Sequence, residues 1–285
     1  MSTPQQPPTQ QLPPQAAPDW QASPGTSYPV YTSPIPVTRT HLGHALASEW
    51  TKIKSVRSTM WTLGVFLLLV IGIGLLVAVQ TNDSDFGDVP YTIPAFFGLV
   101  LGQICLITLG VLVISSEYGT GMIRTTFTAS PQRHRVLAAK LIIFFAVAFV
   151  VSAFAIGFVG LVTEAMHSGG EGRAWGGTVV MGALYVSLLG VLALAVGSML
   201  RHSAGAITAM LGLVLVPAIL PAFLLISDSM RGIGEKMLDY NAPNALAKIF
   251  GLDGENGGGS QLGLLAGVTA AAIAGAFVLL DRRDV

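Results

Sequence analysis

The chain is poor in charge and nearly devoid of cysteine: 11% of its 285 residues are Asp, Glu, Lys or Arg, and it has 1 Cys. One thiol, Cys105, excludes a disulfide framework, and its place inside an apolar run gives it a structural reading. Low charge against 52% hydrophobic residues and a mean hydropathy of +0.66 excludes an ordinary soluble domain and puts the chain in the membrane class.

Catalytic signatures are missing as well. No G-x-x-x-x-G-K-[ST] phosphate loop occurs, so the chain cannot hold ATP in that way itself. No HExxH pair is present, and no Gly-x-Ser-x-Gly serine has a histidine at matching depth. His41 and His44 share a helix face without a third ligand nearby, which speaks against a metal site. The opening residues contain no apolar signal core and their first basic residue is Arg39, so a cleavable leader is not expected.

What is present is six uncharged runs, at about 62–80, 93–116, 141–163, 174–200, 203–227 and 262–280, each long enough to cross a hydrocarbon core as helix. A lone apolar segment in lipid satisfies its backbone only within itself, so each run is predicted helical. The fold class that follows is an all-α polytopic membrane protein of six transmembrane helices with both termini on one side. Arg39, Lys52, Lys54, Arg57, Arg124, Arg133, Arg135, Lys140, Arg201, Arg282 and Arg283 fall on the side of the termini, whereas Arg173, Arg231, Lys236 and Lys248 fall opposite. That asymmetry makes the side of the termini cytoplasmic. The formal net charge of zero gives no reason to expect a nucleic-acid partner.

Around the spans, residues 1–37 read as a disordered Pro/Gln-rich cytoplasmic tail, a composition that cannot bury enough apolar area to offset chain entropy. Residues 38–60 read as an amphipathic interfacial helix, with Leu42, Leu46, Trp50, Ile53 and Met60 on one face and Lys52, Lys54 and Arg57 toward anionic headgroups. Residues 61–285 form the six-span domain. Pro217 and Pro221 remove ladder hydrogen bonds and predict a hinge in span five. The connection after it, about 228–261, is too long for a simple turn and predicts one or two short helices at the outer leaflet. Gly98 with Gly102 and Gly263 with Gly267 form GxxxG pairs, read as packing surfaces. Within the spans only Gln103, Thr108, Ser152, Tyr185, Ser187 and Thr208 offer polarity, and interhelical packing is their ordinary role.

The segment Ser115 to Arg135, SSEYGTGMIRTTFTASPQRHR, is compact, charged and glycine-punctuated between two apolar runs. Glu117 falls at the carboxyl end of span two, where the helix dipole is of the wrong sign for a carboxylate. It should therefore seek a cation, and Arg124 or the basic residues of the interfacial helix are the candidates for a latch. Gly119 and Gly121 let the chain leave the helical path. Met122, Ile123 and Phe127 then form a short apolar face with Arg124 beside it, closed by Pro131. That pattern suits a small helix laid into a partner's groove, and equally an interfacial turn resting on lipid.

The run EYGTGMIRTTFTASPQRHRVLAAK resembles the cytoplasmic segment between spans two and three in permease subunits of ABC-2 type ABC transporters, especially actinobacterial-looking ones. The family shows an acidic residue, Gly-Thr, a short mixed helix, a proline and a basic start to span three, at places held here by Glu117, Gly119, Thr120, Arg124, Pro131 and Arg133. SEWTKIKSVRSTMW before span one and the six-span layout extend the likeness over about residues 45–285. The tail lies outside the pattern, and YNAPNALAKIFG matches it loosely. The resemblance implies a permease without its own ATPase site, with an N-terminal elbow helix and a short coupling helix. Glu117, Tyr118, Gly119, Thr120, Gly121, Met122, Ile123, Arg124, Phe127 and Pro131 would dock a separate cytosolic ABC ATPase, which carries the ATP and Mg. It further implies a second permease chain, identical or related, and residence in the plasma membrane as an exporter. A secondary transporter or channel, or a non-transporting membrane anchor or sensor subunit, are the alternatives. The absence of ionisable residues at mid-membrane counts against ion coupling.

Overall fold

In a computed structural model, residues 41–81, 90–129, 132–167, 175–252 and 257–282 are described. The tail, Pro131, and the acidic loop residues Asp83, Asp85, Asp88, Glu171, Asp253 and Glu255 lie outside the described residues.

Among the described residues the elements are eleven helices: α1 (Leu42–Ser55), α2 (Arg57–Gln80), α3 (Ile93–Gly119), α4 (Met122–Ala129), α5 (Arg133–Met166), α6 (Gly176–Leu200), α7 (Ser203–Ile219), α8 (Pro221–Leu224), α9 (Arg231–Tyr240), α10 (Ala242–Phe250) and α11 (Gly259–Arg282). Six helical stretches are long and apolar enough to cross a membrane: α2, α3, α5, α6, the α7–α8 pair and α11. Most run past the uncharged stretches that mark them in the sequence, because a helix does not end where hydropathy ends. The 34 residues of α5 rise about 51 Å, so the helix is longer than a hydrocarbon core of about 30 Å requires.

The bundle is built around α3 and α6. Within its most apolar stretch α6 is 67% buried and α3 56%, against 17% for both α11 and the α7–α8 pair. The two central helices approach closely because glycines face each other. A Cβ on Gly110 would collide with the carbonyl oxygen of Gly190, and one on Gly197 would lie 3.2 Å from Val111 Cα. The Gly98–Gly102 pair has a partner inside the chain: a Cβ on Gly98 would come within 2.6 Å of Val70 Cα, so this pair is the seam between α2 and α3. A Cβ on Gly263 or Gly267 would meet nothing within 4 Å among the described residues. Outward faces carry large apolar side chains such as Leu68, Val150, Leu213 and Leu264, as suits contact with lipid tails.

Two expectations change in detail. The segment 38–60 is not one helix: α1 stops at Val56, whose ψ of 110° is extended, and Met60 belongs to α2. Its inward face also differs, because Glu49 and Ile53 are buried while Leu42 and Trp50 are exposed. The physical reason is charge pairing: α1 packs against α5 with the carboxylate of Glu49 turned to a lysine there.

The fifth crossing runs through Pro217 and breaks at Leu220. The two prolines are four residues apart, so Pro221 lacks the N–H that the Pro217 carbonyl would accept from. Asn241 fills that role, donating from Nδ2 to the Pro217 carbonyl at 3.4 Å. The same residue caps α10, accepting at Oδ1 from Asn244 N–H at 2.8 Å. Residues after span five thus hold two helices, α9 and α10. The latter turns Ala245, Leu246, Ile249 and Phe250 into the bundle, with Phe250 seated on Gly182 of α6.

Candidate functional site

Four charged side chains meet at the carboxyl end of α3. Lys52 lies one turn along α1 from Glu49 and donates to Glu49 Oε1 at 2.8 Å and to Glu117 Oε1 at 2.9 Å. Lys140, from the first turns of α5, donates to Glu49 Oε2 at 2.6 Å and to Glu117 Oε1 at 2.8 Å. The four form a closed ring of alternating sign with no net formal charge. It is largely dry: the Glu49, Glu117 and Lys140 side chains are 4%, 5% and 2% exposed, and Lys52 closes the wetter side at 26%.

Neutrality explains how such a ring survives burial. An isolated buried ion costs several kcal/mol even after relaxation, and only close, multiply hydrogen-bonded partners offset that. Burial alone would lower the pKa of Lys52. The carboxylates of Glu49 and Glu117 outweigh it and hold the ammonium above its ordinary value. One atom is left over: Glu117 Oε2 is buried and has no hydrogen-bond partner among the described residues. Glu117 lines a cavity of about 160 Å³ shared with Ser58, Thr59, Thr62 and Ser116.

Beyond Glu117 the chain leaves the helix abruptly. Tyr118 is half-buried with the Arg201 guanidinium 5.1 Å from its ring. Gly119 ends α3, and the Thr120 hydroxyl donates to the Ser116 carbonyl at 2.8 Å. Gly121 has φ +72°, a left-handed conformation that glycine adopts without penalty. α4 follows at once. Its Ile123 is buried, and Phe127 packs partly on the core with the Arg133 guanidinium 5.5 Å from its ring. Of the expected apolar face, only Met122 remains outward, together with exposed Arg124, Thr125 and Thr128. An apolar anchor of three residues is therefore not on offer, because two of them hold α4 to its own bundle. Between α1, α4 and the start of α5 lies a cavity of about 460 Å³, bordered by His44, Lys52, Met122, Thr125 and Arg135.

The cation that Glu117 finds is a pair of lysines, whereas Arg124 is exposed. Glu49 and Lys140 escape a reading based on uncharged runs, since Lys140 lies just before the third run and Glu49 lies well before the first. The usable signal for Lys140 is its setting, VLAAKLIIFF, a lone ammonium among apolar residues that must find an acceptor. For Glu49 it is an acidic residue three positions before a lysine on an otherwise apolar helix face. Of the polar residues within the spans, the Thr108 and Ser187 hydroxyls donate to carbonyls of their own helices. Among the described residues no group of three or more His, Cys, Asp or Glu could hold a metal ion. No family model matches this chain, and no curated protein matches it at a significant level.

Proposed function

We propose that this chain is the membrane-spanning permease subunit of an ATP-driven exporter of the ABC-2 type, moved by a separate cytosolic ATPase and paired with a second permease chain. In this reading α1 is the elbow helix and α4 the coupling helix. Both termini and the ion ring lie on the cytoplasmic side of the plasma membrane, and ATP and Mg belong to the partner.

The observation that carries the reading is the position of Glu117, two residues before the Gly119–Gly121 turn that leads into α4 and salt-bridged to both α1 and α5. A push on α4 is delivered to the end of α3, and the ring passes it to the two neighbouring helices. A packed, discrete set of ion pairs switches between arrangements rather than deforming continuously. The surface offered to the ATPase is the exposed strip of Gly119, Thr120, Gly121, Met122, Arg124 and Thr125, with the bordering cavity beside it.

Gly119 makes the test clean, because a Cβ there meets nothing within 4 Å among the described residues. Gly119→Trp and Thr120→Trp should leave the bundle in the membrane with unchanged thermal stability. They should abolish both recovery of a cytosolic ATPase with the solubilised chain and stimulation of its ATP hydrolysis. Normal recovery and stimulation with both variants would show that α4 is not the docking element.

A further inference from the structure

A second cavity, of about 220 Å³, lies among α6, α7, α11 and the start of α10, at the end of the bundle away from the ion ring. Leu189 and Leu192 of α6, Leu213 of α7 and Leu265 of α11 form its walls, and no residue lining it is charged. Of its polar groups, the two side-chain amides are committed, and Tyr240 lies at the rim, 44% exposed. Asn241 is engaged at both ends of its amide, and Gln261 donates to the Asp239 carbonyl at 3.2 Å while accepting from the Ser260 hydroxyl at 2.8 Å.

Tyr185 is the buried polar group left over. It is 4% exposed, lines this cavity, and its hydroxyl has no hydrogen bond among the described residues. A buried tyrosine hydroxyl ordinarily finds a partner. A second handle comes from the helix break: Pro217 has no N–H, so the carbonyl of Leu213, another lining residue, loses its helical donor. A buried, uncommitted hydroxyl and a residue whose carbonyl lacks its helical donor therefore border a largely apolar chamber.

We propose that this cavity binds an uncharged lipophilic molecule bearing a single hydroxyl group, which accepts a hydrogen bond from Tyr185 or donates one to it or to the Leu213 carbonyl. The chamber is smaller than the ~300–1,000 Å³ of drug-sized sites, so it takes a ring or a short alkyl segment together with that hydroxyl. The rest of the molecule lies along the rim, where Leu213 and Leu264 are both 52% exposed and open the site sideways to the bilayer. An ionised head is excluded because nothing in the lining repays its desolvation.

The probe is a long-chain primary alcohol carrying a diazirine, photolysed with the purified chain in nanodiscs without nucleotide, so the outcome is independent of the ATPase-partner reading. Label should concentrate on peptides containing Leu189 and Leu213. Tyr185→Phe should weaken labelling about fivefold through loss of one hydrogen bond. Leu189→Trp, which fills the chamber, should abolish it. The matching carboxylic acid at a pH where it is ionised should label more than about tenfold less. Unchanged thermal melting of Tyr185→Phe establishes that the fold is intact. Equal labelling of wild type and Tyr185→Phe, equal labelling by the ionised acid or by a diazirine phospholipid, or label spread evenly over outward residues such as Leu68 and Val150 would overturn the proposal.

Discussion

Lys140 Nζ sits 2.6 Å from Glu49 Oε2, joining residues 91 positions apart, and both side chains are at least 96% buried. The contact fastens α1 to α5, while the bond from the same ammonium to Glu117 fastens α5 to α3. A single nitrogen thus ties three helices at one end of the bundle.

Removing that nitrogen should be costly. Lys140→Met leaves two buried carboxylates facing Lys52 alone, and breaking a buried pair from one side typically costs about 3–5 kcal/mol. Thermal unfolding in detergent should show a large drop in midpoint. Replacing Glu49, Glu117, Lys52 and Lys140 together by apolar residues of similar volume should recover most of that loss. Equal midpoints for Lys140→Met and wild type would mean the ring contributes nothing to stability.

Alkaline pH should loosen the ring through Lys52. Its folded-state pKa is raised above the ordinary value of 10.5, so its contribution is fully present below that value and fades as pH climbs through the higher folded value. The melting midpoint of wild type should fall above pH 10.5, and the fall should be shallower in Lys52→Met. Parallel pH curves for the two proteins would remove Lys52 from this account.

The glycines divide into those that seat a neighbour and those that do not. Gly110→Ala places a methyl against the Gly190 carbonyl and must push α3 from α6, at a cost of about 1–3 kcal/mol. Gly267→Ala meets nothing within 4 Å and should be neutral or slightly stabilising. Comparing the melting midpoints of the two variants checks the assignment of α3 and α6 as the packed centre.

Asn241→Ala should cost about 1 kcal/mol or somewhat more, because it uncaps α10 and leaves the Pro217 carbonyl without a donor. Hydrogen exchange should then rise in α10 and around the break at Leu220. Asn241→Asp keeps the cap acceptor but not the donor, and should loosen the break while sparing α10.

Much of the architecture is legible in the residues. Uncharged runs of about 20 residues give six crossings, because a backbone in hydrocarbon has no other means of satisfying itself. Pro217 and Pro221 mark a break, the long connection after span five marks short helices there, and the Gly119–Gly121 punctuation marks where span two ends. Glu117 stands out by the sign of its charge at a helix carboxyl end, and from that its need for a cation follows.

The identity of that cation is legible only in part: Lys52 is among the basic residues of the interfacial helix that the sequence offers, whereas Lys140 is not and Arg124 stays exposed. Helical periodicity places Ile123 and Phe127 on one face, yet nothing local says that this face turns toward the chain's own bundle and leaves Met122 and Arg124 outside. The same holds for α1, whose apolar face by pattern includes Trp50, while its packed face by structure includes Glu49.

The sequence by itself determined how many helices are long and apolar enough to cross a membrane and roughly where each lies, because hydropathy and prolines act within one segment. Only the tertiary structure decided that Glu49, Lys52, Glu117 and Lys140 close a ring, that Gly110 meets Gly190, and that Tyr185 keeps a spare hydroxyl in an apolar chamber. Those facts depend on which helices are neighbours and on the rotation of each about its axis. Both are set by packing and charge pairing between residues far apart in the chain.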